Sequence, residues 1–216
     1  MLRLCETESG ERVTPAPQSS CVPRVNDSAR MGETSIKERI IYRRENEVDP
    51  EEFLLDVGAI EPFEGDEELR FTDDFSDMLG DEMEQYIESG VAESDLARLF
   101  GVPEEDVNDE GRSYKAYKII NTVYKWPSEA AVMFDVAVDA ALRTLTDDWE
   151  AVPPKQRHDI AKSLRTFQDF CYFCGGEVIT GQTLVESCCS ERGVVTLHCT
   201  GCERRFLEFS AVLEDN

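Results

Sequence analysis

The 216-residue chain has no run of eighteen apolar residues, so it holds no segment of the kind that crosses a bilayer as a helix. Histidine is scarce: there are only two, His158 and His198. No His-x-Glu or His-Glu-x-x-His lies near the cysteines, so the zinc-deaminase pattern is absent. Bases are short too, with 22 Lys and Arg against 46 Asp and Glu, a formal net charge of −24, and only six of those bases are lysine. No internal repeat is evident. The start, MLRLCETESGERV, is interrupted by charge before any apolar stretch of the kind a secretion signal needs. The expectation is an intracellular, cytoplasmic protein, where thiols stay reduced and clustered cysteines bind metal rather than pair.

What is present is unevenly placed. Residues 45–110 hold 25 acids and only two bases, Arg70 and Arg98, while residues 111–167 hold nine bases and seven acids. The acidic stretch is not low-complexity, because Phe53, Leu54, Leu69, Phe71, Phe75 and Leu79 recur through it. It reads as a folded acidic surface suited to a very salty cytoplasm. At about 1 M salt the Debye length is roughly 3 Å, which screens its self-repulsion.

Residues 1–34, rich in Pro, Ser and small polar residues, are expected to be a disordered extension, and Met31 reads as a natural chain start. A mainly helical acidic domain is expected over 35–167. Within it Asp49-Pro50 opens a helix, Thr72 caps another over Phe71–Glu88, and a short one runs from about Ser94 to a stop at Gly101. SYKAYKIINTVYKW shifts to β-branched and aromatic residues and reads as a hairpin near 113–126. PSEAAVMFDVAVDAALRTL is apolar nearly all round, which marks a helix buried on most sides, with Ser128 as its cap. A last helix, from about Pro154 to Gln168, is expected to turn Ile160, Leu164 and Phe167 inward and Arg157, Lys162 and Arg165 outward.

Six of the eight cysteines lie between Cys171 and Cys202. Cys171-x-x-Cys174 and Cys199-x-x-Cys202 form two knuckles separated by 24 residues, with Gly175, Gly176 and Gly201 supplying permissive backbone. Each turn aims two thiolates at one ion, and two turns complete a tetrahedron. With strand-like stretches on both sides, this is the layout of a zinc ribbon over 168–212, with one structural zinc ion on Cys171, Cys174, Cys199 and Cys202. Four thiolates leave the ion electron-rich and without an open position, so no catalytic role is expected. Cys188, Cys189 and His198 admit several readings: one replaces a knuckle ligand, they share a second ion, or the two cysteines are small buried hydrophobes. The last is the favoured one.

SDLARLFGVPEEDV has a helix-turn-helix rhythm, with Ala97 at the crossing, Gly101 in the turn and Leu96, Leu99, Val102 and Val107 as core. Its second helix, PEEDVNDEG, would present acids where DNA readers present bases or amides. The hairpin, possessing Arg112, Lys115, Lys118 and Lys125 among four aromatics, is the better candidate for nucleic-acid contact. The competing reading is that its lysines pair with the acidic segment.

Three features together resemble an uncharacterised family of salt-loving archaeal zinc-ribbon proteins: the ribbon with Ser187-Cys188-Cys189, the WPSEAA start at Trp126–Ala131, and the acidic LRFTDDFSDML segment. The resemblance covers roughly residues 40–210. It implies a cytoplasmic protein with a helical, helix-turn-helix-like front and a C-terminal zinc ribbon, and no particular activity. The expected class is α+β: a mainly helical domain with a short, winged-helix-like hairpin, followed by the ribbon. The expected function is a non-enzymatic regulator at DNA or the transcription machinery. The alternative is a protein–protein adaptor that docks through the ribbon.

Overall fold

In the computed structural model, which describes residues 36–63, 68–111, 114–187 and 190–210, three of the six α-helices begin at a side-chain cap. Helix α1 is Ile36–Asn46 and α2 is Pro50–Asp56, whose N-terminus is capped by Asp49 accepting from the Glu51 and Glu52 amides at 3.1 and 3.0 Å. Strands β1 (Ile60–Pro62) and β2 (Leu69–Phe71) then pair antiparallel, an element not expected from the acidic, short-period sequence there. Helix α3, Asp73–Ser89, is capped by Thr72 and buries Phe75, Leu79, Met83 and Tyr86, while Ile87 faces outward. Helix α4, Glu93–Phe100, ends at Gly101 in the left-handed region, φ +59°. The disordered extension expected over 1–34 lies outside the described residues.

The second helix of the helix-turn-helix reading does not form. Glu104–Asp106 makes a single 3-10 turn, and Val107–Asp109 continues as strand β3. The physical reason is packing: Val107 is buried opposite Ile119, a gain available only if 107–109 is extended. Asn108 and Asp109 also weaken a helix at this point. Strands β4 (Lys115–Ile119) and β5 (Thr122–Trp126) complete the antiparallel sheet in the order β3-β4-β5. The hairpin thus supplies the central strand β4 and the edge strand β5 of a three-stranded sheet, and among the described residues no recognition helix stands before it.

Helix α5, Glu129–Leu145, is the axle of the fold. It touches α3, α4, β5 and the last helix, α6 (Pro154–Leu164). Its buried run includes two charged residues one turn apart, Asp135 and Asp139, both 0% exposed. A 3-10 turn, Arg165–Phe167, leads into the antiparallel ribbon β6 (Val178–Ser187), β7 (Ser190–Cys199) and β8 (Arg205–Ser210), ordered β6-β7-β8. Lys162 is exposed as expected, but Arg157 and Arg165 are not: they are 4% and 2% exposed. Burial of Arg165 matches the interior carboxylate of Asp135 on α5, a requirement that periodicity alone does not reveal. The α+β class holds, and Ser35–Asn216 cluster as one compact unit.

Candidate metal centre

The two cysteine knuckles are built on the same backbone plan. The Cys171 amide donates to the Gly176 carbonyl at 2.8 Å, and the Cys199 amide donates to the Arg204 carbonyl at 3.0 Å, the same offset. The Gly175 amide donates to Cys171 O at 2.7 Å and the Glu203 amide to Cys199 O at 3.0 Å. Both of these donor residues are left-handed, φ +70° at Gly175 and +59° at Glu203. Glycine adopts that conformation freely, and Glu203 adopts it because the second knuckle repeats the first. The Thr200 amide, donating to Glu177 O at 2.9 Å, locks the two knuckles together.

This geometry brings the sulfurs of Cys171, Cys174, Cys199 and Cys202 within 4.8 Å of one another. Cys171 and Cys202 approach to 3.6 Å, Cys174 and Cys199 to 3.4 Å. The Gly201 and Cys202 amides point at Cys199 Sγ from 3.3 and 3.5 Å, the N–H donors that a thiolate needs. A Cβ added at Gly176 would lie 3.1 Å from Cys199 Sγ, and one at Gly201 3.3 Å from Cys174 Sγ. The cradle is therefore shaped for four sulfurs around one centre. Four soft thiolates at this spacing suit a tetrahedral metal ion.

The thiols differ in acidity. Burial pushes Cys171 up to about 12. Cys174 is raised as well: the Gly176 amide favours its thiolate most strongly, but the hydrogen bonds shared with Cys199 and Cys202, together with desolvation, outweigh this. Burial opposes ionisation of Cys202, yet the Arg204 amide and guanidinium bring it down to about 6. Arg204 also lies over the Phe173 ring, 4.5 Å from its centroid. Arg204 was not among the expected site residues. The signal was a basic residue two places after the second knuckle.

The remaining candidates separate. His198 lies on β7 next to Cys199, so its ring points to the opposite face of the sheet. There it packs over Gly181, where a Cβ would come within 2.6 Å of it, and its Nδ1 is 3.2 Å from the Thr196 hydroxyl. Cys188 and Cys189 lie outside the described residues, as does Arg112. Lys115 sits between Asp109 (3.8 Å) and Glu129 (3.6 Å), as the ion-pair reading expected. Lys118 and Lys125 project from the outer face of the β3–β5 sheet, Lys125 over the Tyr114 ring at 5.3 Å. The structure thus pairs Lys115 with two carboxylates and leaves Lys118 and Lys125 exposed.

The ribbon is joined to the helical body. Ser128 caps α5 by accepting from the Ala131 amide and donates its hydroxyl to Arg205 O at 2.5 Å. Ala130 of α5 packs with Cys171, Cys199, Phe206 and Leu207 in one buried cluster. Trp126 Nε1 donates to Asp135 at 2.7 Å, which ties the start of the WPSEAA stretch to α5.

Among known proteins, the central-domain model of a family of unknown function, DUF8054, matches residues 49–166. The C-terminal-domain model of the same family matches residues 169–209. No curated protein and no solved structure matches.

Proposed function

The chain belongs to the DUF8054 family, whose function is unknown, and we propose that it is a non-enzymatic regulator held in shape by one structural zinc ion. The observation that carries this reading is the closed cradle of four cysteine sulfurs within 4.8 Å. A full thiolate shell leaves no position for a reacting water, so the ion serves the fold. Among the described residues no helix is long and apolar enough to cross a membrane. The regulator acts in a salt-rich, archaeal type of cytoplasm, a setting supported by the −24 charge and the acid-rich surface.

Its target is DNA or the transcription machinery. Support comes from the outer face of the β3–β5 sheet, where Lys118 and Lys125 stand beside Val123 and Tyr114. At the tip of the same hairpin, Ile120 is exposed and held at φ +55°, an unusual conformation for a β-branched residue. A second reading, the protein adaptor, draws on the exposed aromatic rings of the ribbon, Phe170 and Phe209.

Two measurements test the proposal. Metal analysis of the purified protein should give one zinc per chain, lost in Cys171→Ser and retained in Cys188→Ala. Retention on duplex DNA at the working salt should be abolished in Lys118→Glu/Lys125→Glu with the fold intact. Unchanged retention would favour the adaptor, and zinc bound by Cys171→Ser but not Cys188→Ala would overturn the ligand set.

A further inference from the structure

Helix α1 is eleven residues long, and none of its described side chains is buried. Ile40, Ile41 and Tyr42 are 46%, 52% and 45% exposed, an apolar run left about half open among the described residues. A helix of this length is marginal in water by itself, and isoleucine does not favour it over alanine or leucine. In its own copy it is tied down by the Tyr42 hydroxyl, which donates to Ala151 O at 2.9 Å, and Arg43 lies near the like charge of Lys155. The helix carries four bases and two acids in a chain of net charge −24.

An opposite surface exists on α3. Asp77, Asp81, Glu84 and Glu88 recur at intervals of four, three and four, so they line one face of that helix, and all four are exposed. Ile87 is exposed beside them. At Gly80 an added Cβ would meet nothing within 4 Å, so a partner helix can come close there.

We propose that α1 docks on the acidic face of α3 in a second copy of the chain, reciprocally, forming a two-fold dimer. The arrangement is isologous: each copy gives one basic helix and receives another. The argument is charge complementarity joined to apolar cover. Arg43 and Arg44 meet the α3 carboxylates while Ile40 and Ile41 meet Ile87. A phosphate backbone would satisfy the arginines and leave the isoleucines in water, so a protein surface fits better than nucleic acid. The inference goes beyond the DNA reading and does not rest on it.

Light scattering of the full chain after size exclusion tests this. The expected mass is twice the 24.5 kDa of one chain. Arg43→Glu/Arg44→Glu and Asp81→Lys/Glu84→Lys should each give monomers with unchanged circular dichroism, because the substituted positions are exposed. Mixed one to one, the two variants should return to the dimer mass, since both reciprocal contacts regain opposite charges. A wild-type monomer at every concentration, a dimer that survives both double substitutions, or a mixture that stays monomeric overturns the proposal. A monomeric wild type whose DNA retention is lost with Arg43→Glu/Arg44→Glu would make α1 a nucleic-acid contact instead.

Discussion

Arg165 and Asp135 meet in the interior at the junction of body and ribbon. The guanidinium Nε donates to Asp135 Oδ1 at 2.7 Å and Nη2 donates to Oδ2. Its third nitrogen, Nη1, donates to the carbonyl of Phe206 on β8 at 2.9 Å. The same carboxylate accepts from Trp126 Nε1. One turn along α5, Asp139 repeats the arrangement with Trp149 Nε1 at 2.9 Å, Arg143 Nε at 2.9 Å and Arg98 Nε at 3.3 Å. Each buried aspartate is thus matched by an indole and a guanidinium, which is how its charge is tolerated away from water.

Removing one member of a buried pair strands the other. Asp135→Asn should destabilise the protein by about 3–5 kcal/mol, the range for an uncompensated buried charge. Because Arg165 also holds Phe206, the loss should appear in the ribbon as well as the body. Urea unfolding followed by tryptophan fluorescence, with metal retention followed in parallel, checks both. A change under about 1 kcal/mol would show that the pair is not a stabilising joint.

His158 gives the stability a dependence on pH. It packs among the rings of Phe100, Tyr124 and Trp126. Burial lowers its pKa from the ordinary 6.5, against the pull of Asp135, 3.9 Å away, and of Asp159, while Arg165 and Lys162 add to the lowering. With the folded value depressed, its contribution is complete above the unfolded value of 6.5 and is lost as the pH falls through the folded value. The thermal midpoint should therefore drop between about pH 6.5 and pH 5, and His158→Gln should flatten that part of the curve. Parallel curves for the two proteins would remove His158 as the cause.

Two neighbouring glycines in the first knuckle should fail in different ways. Gly175 is left-handed with open space around it, so Gly175→Ala strains the backbone by about 1–2 kcal/mol and leaves the sulfurs in place. Gly176→Ala instead places a methyl 3.1 Å from Cys199 Sγ and should weaken metal binding by more than tenfold. Competition with a chromogenic chelator measures the affinities, and calorimetry measures the stabilities. Equal metal affinity in the two variants would contradict the close approach of backbone and sulfur.

The acidic segment should make stability depend on salt. Residues 45–110 carry 25 acids against two bases, and lowering KCl from about 1 M to about 0.1 M lengthens the screening distance from roughly 3 to 10 Å. The thermal midpoint should fall over that range. A midpoint that rises as salt is withdrawn would show that the charges are already balanced within the fold.

The sequence by itself determined what depends on local rules. Asp49, Thr72 and Ser128 cap their helices because a side-chain oxygen next to free amides has a nearby use. The cysteine spacing was legible for the same reason, since a knuckle is a turn of a few residues. Tertiary structure alone decided the rest. The stretch after Pro103 carries helix-compatible signals and becomes a strand, because Val107 finds Ile119 twelve residues away. Arg165 reads as a solvent-facing charge until α5 places Asp135 inside the core, and Lys115 parts from the exposed Lys118 and Lys125 only when β3 and α5 bring Asp109 and Glu129 to it. Pairings of this kind depend on which elements meet, and charge and period along one segment carry no record of the partner.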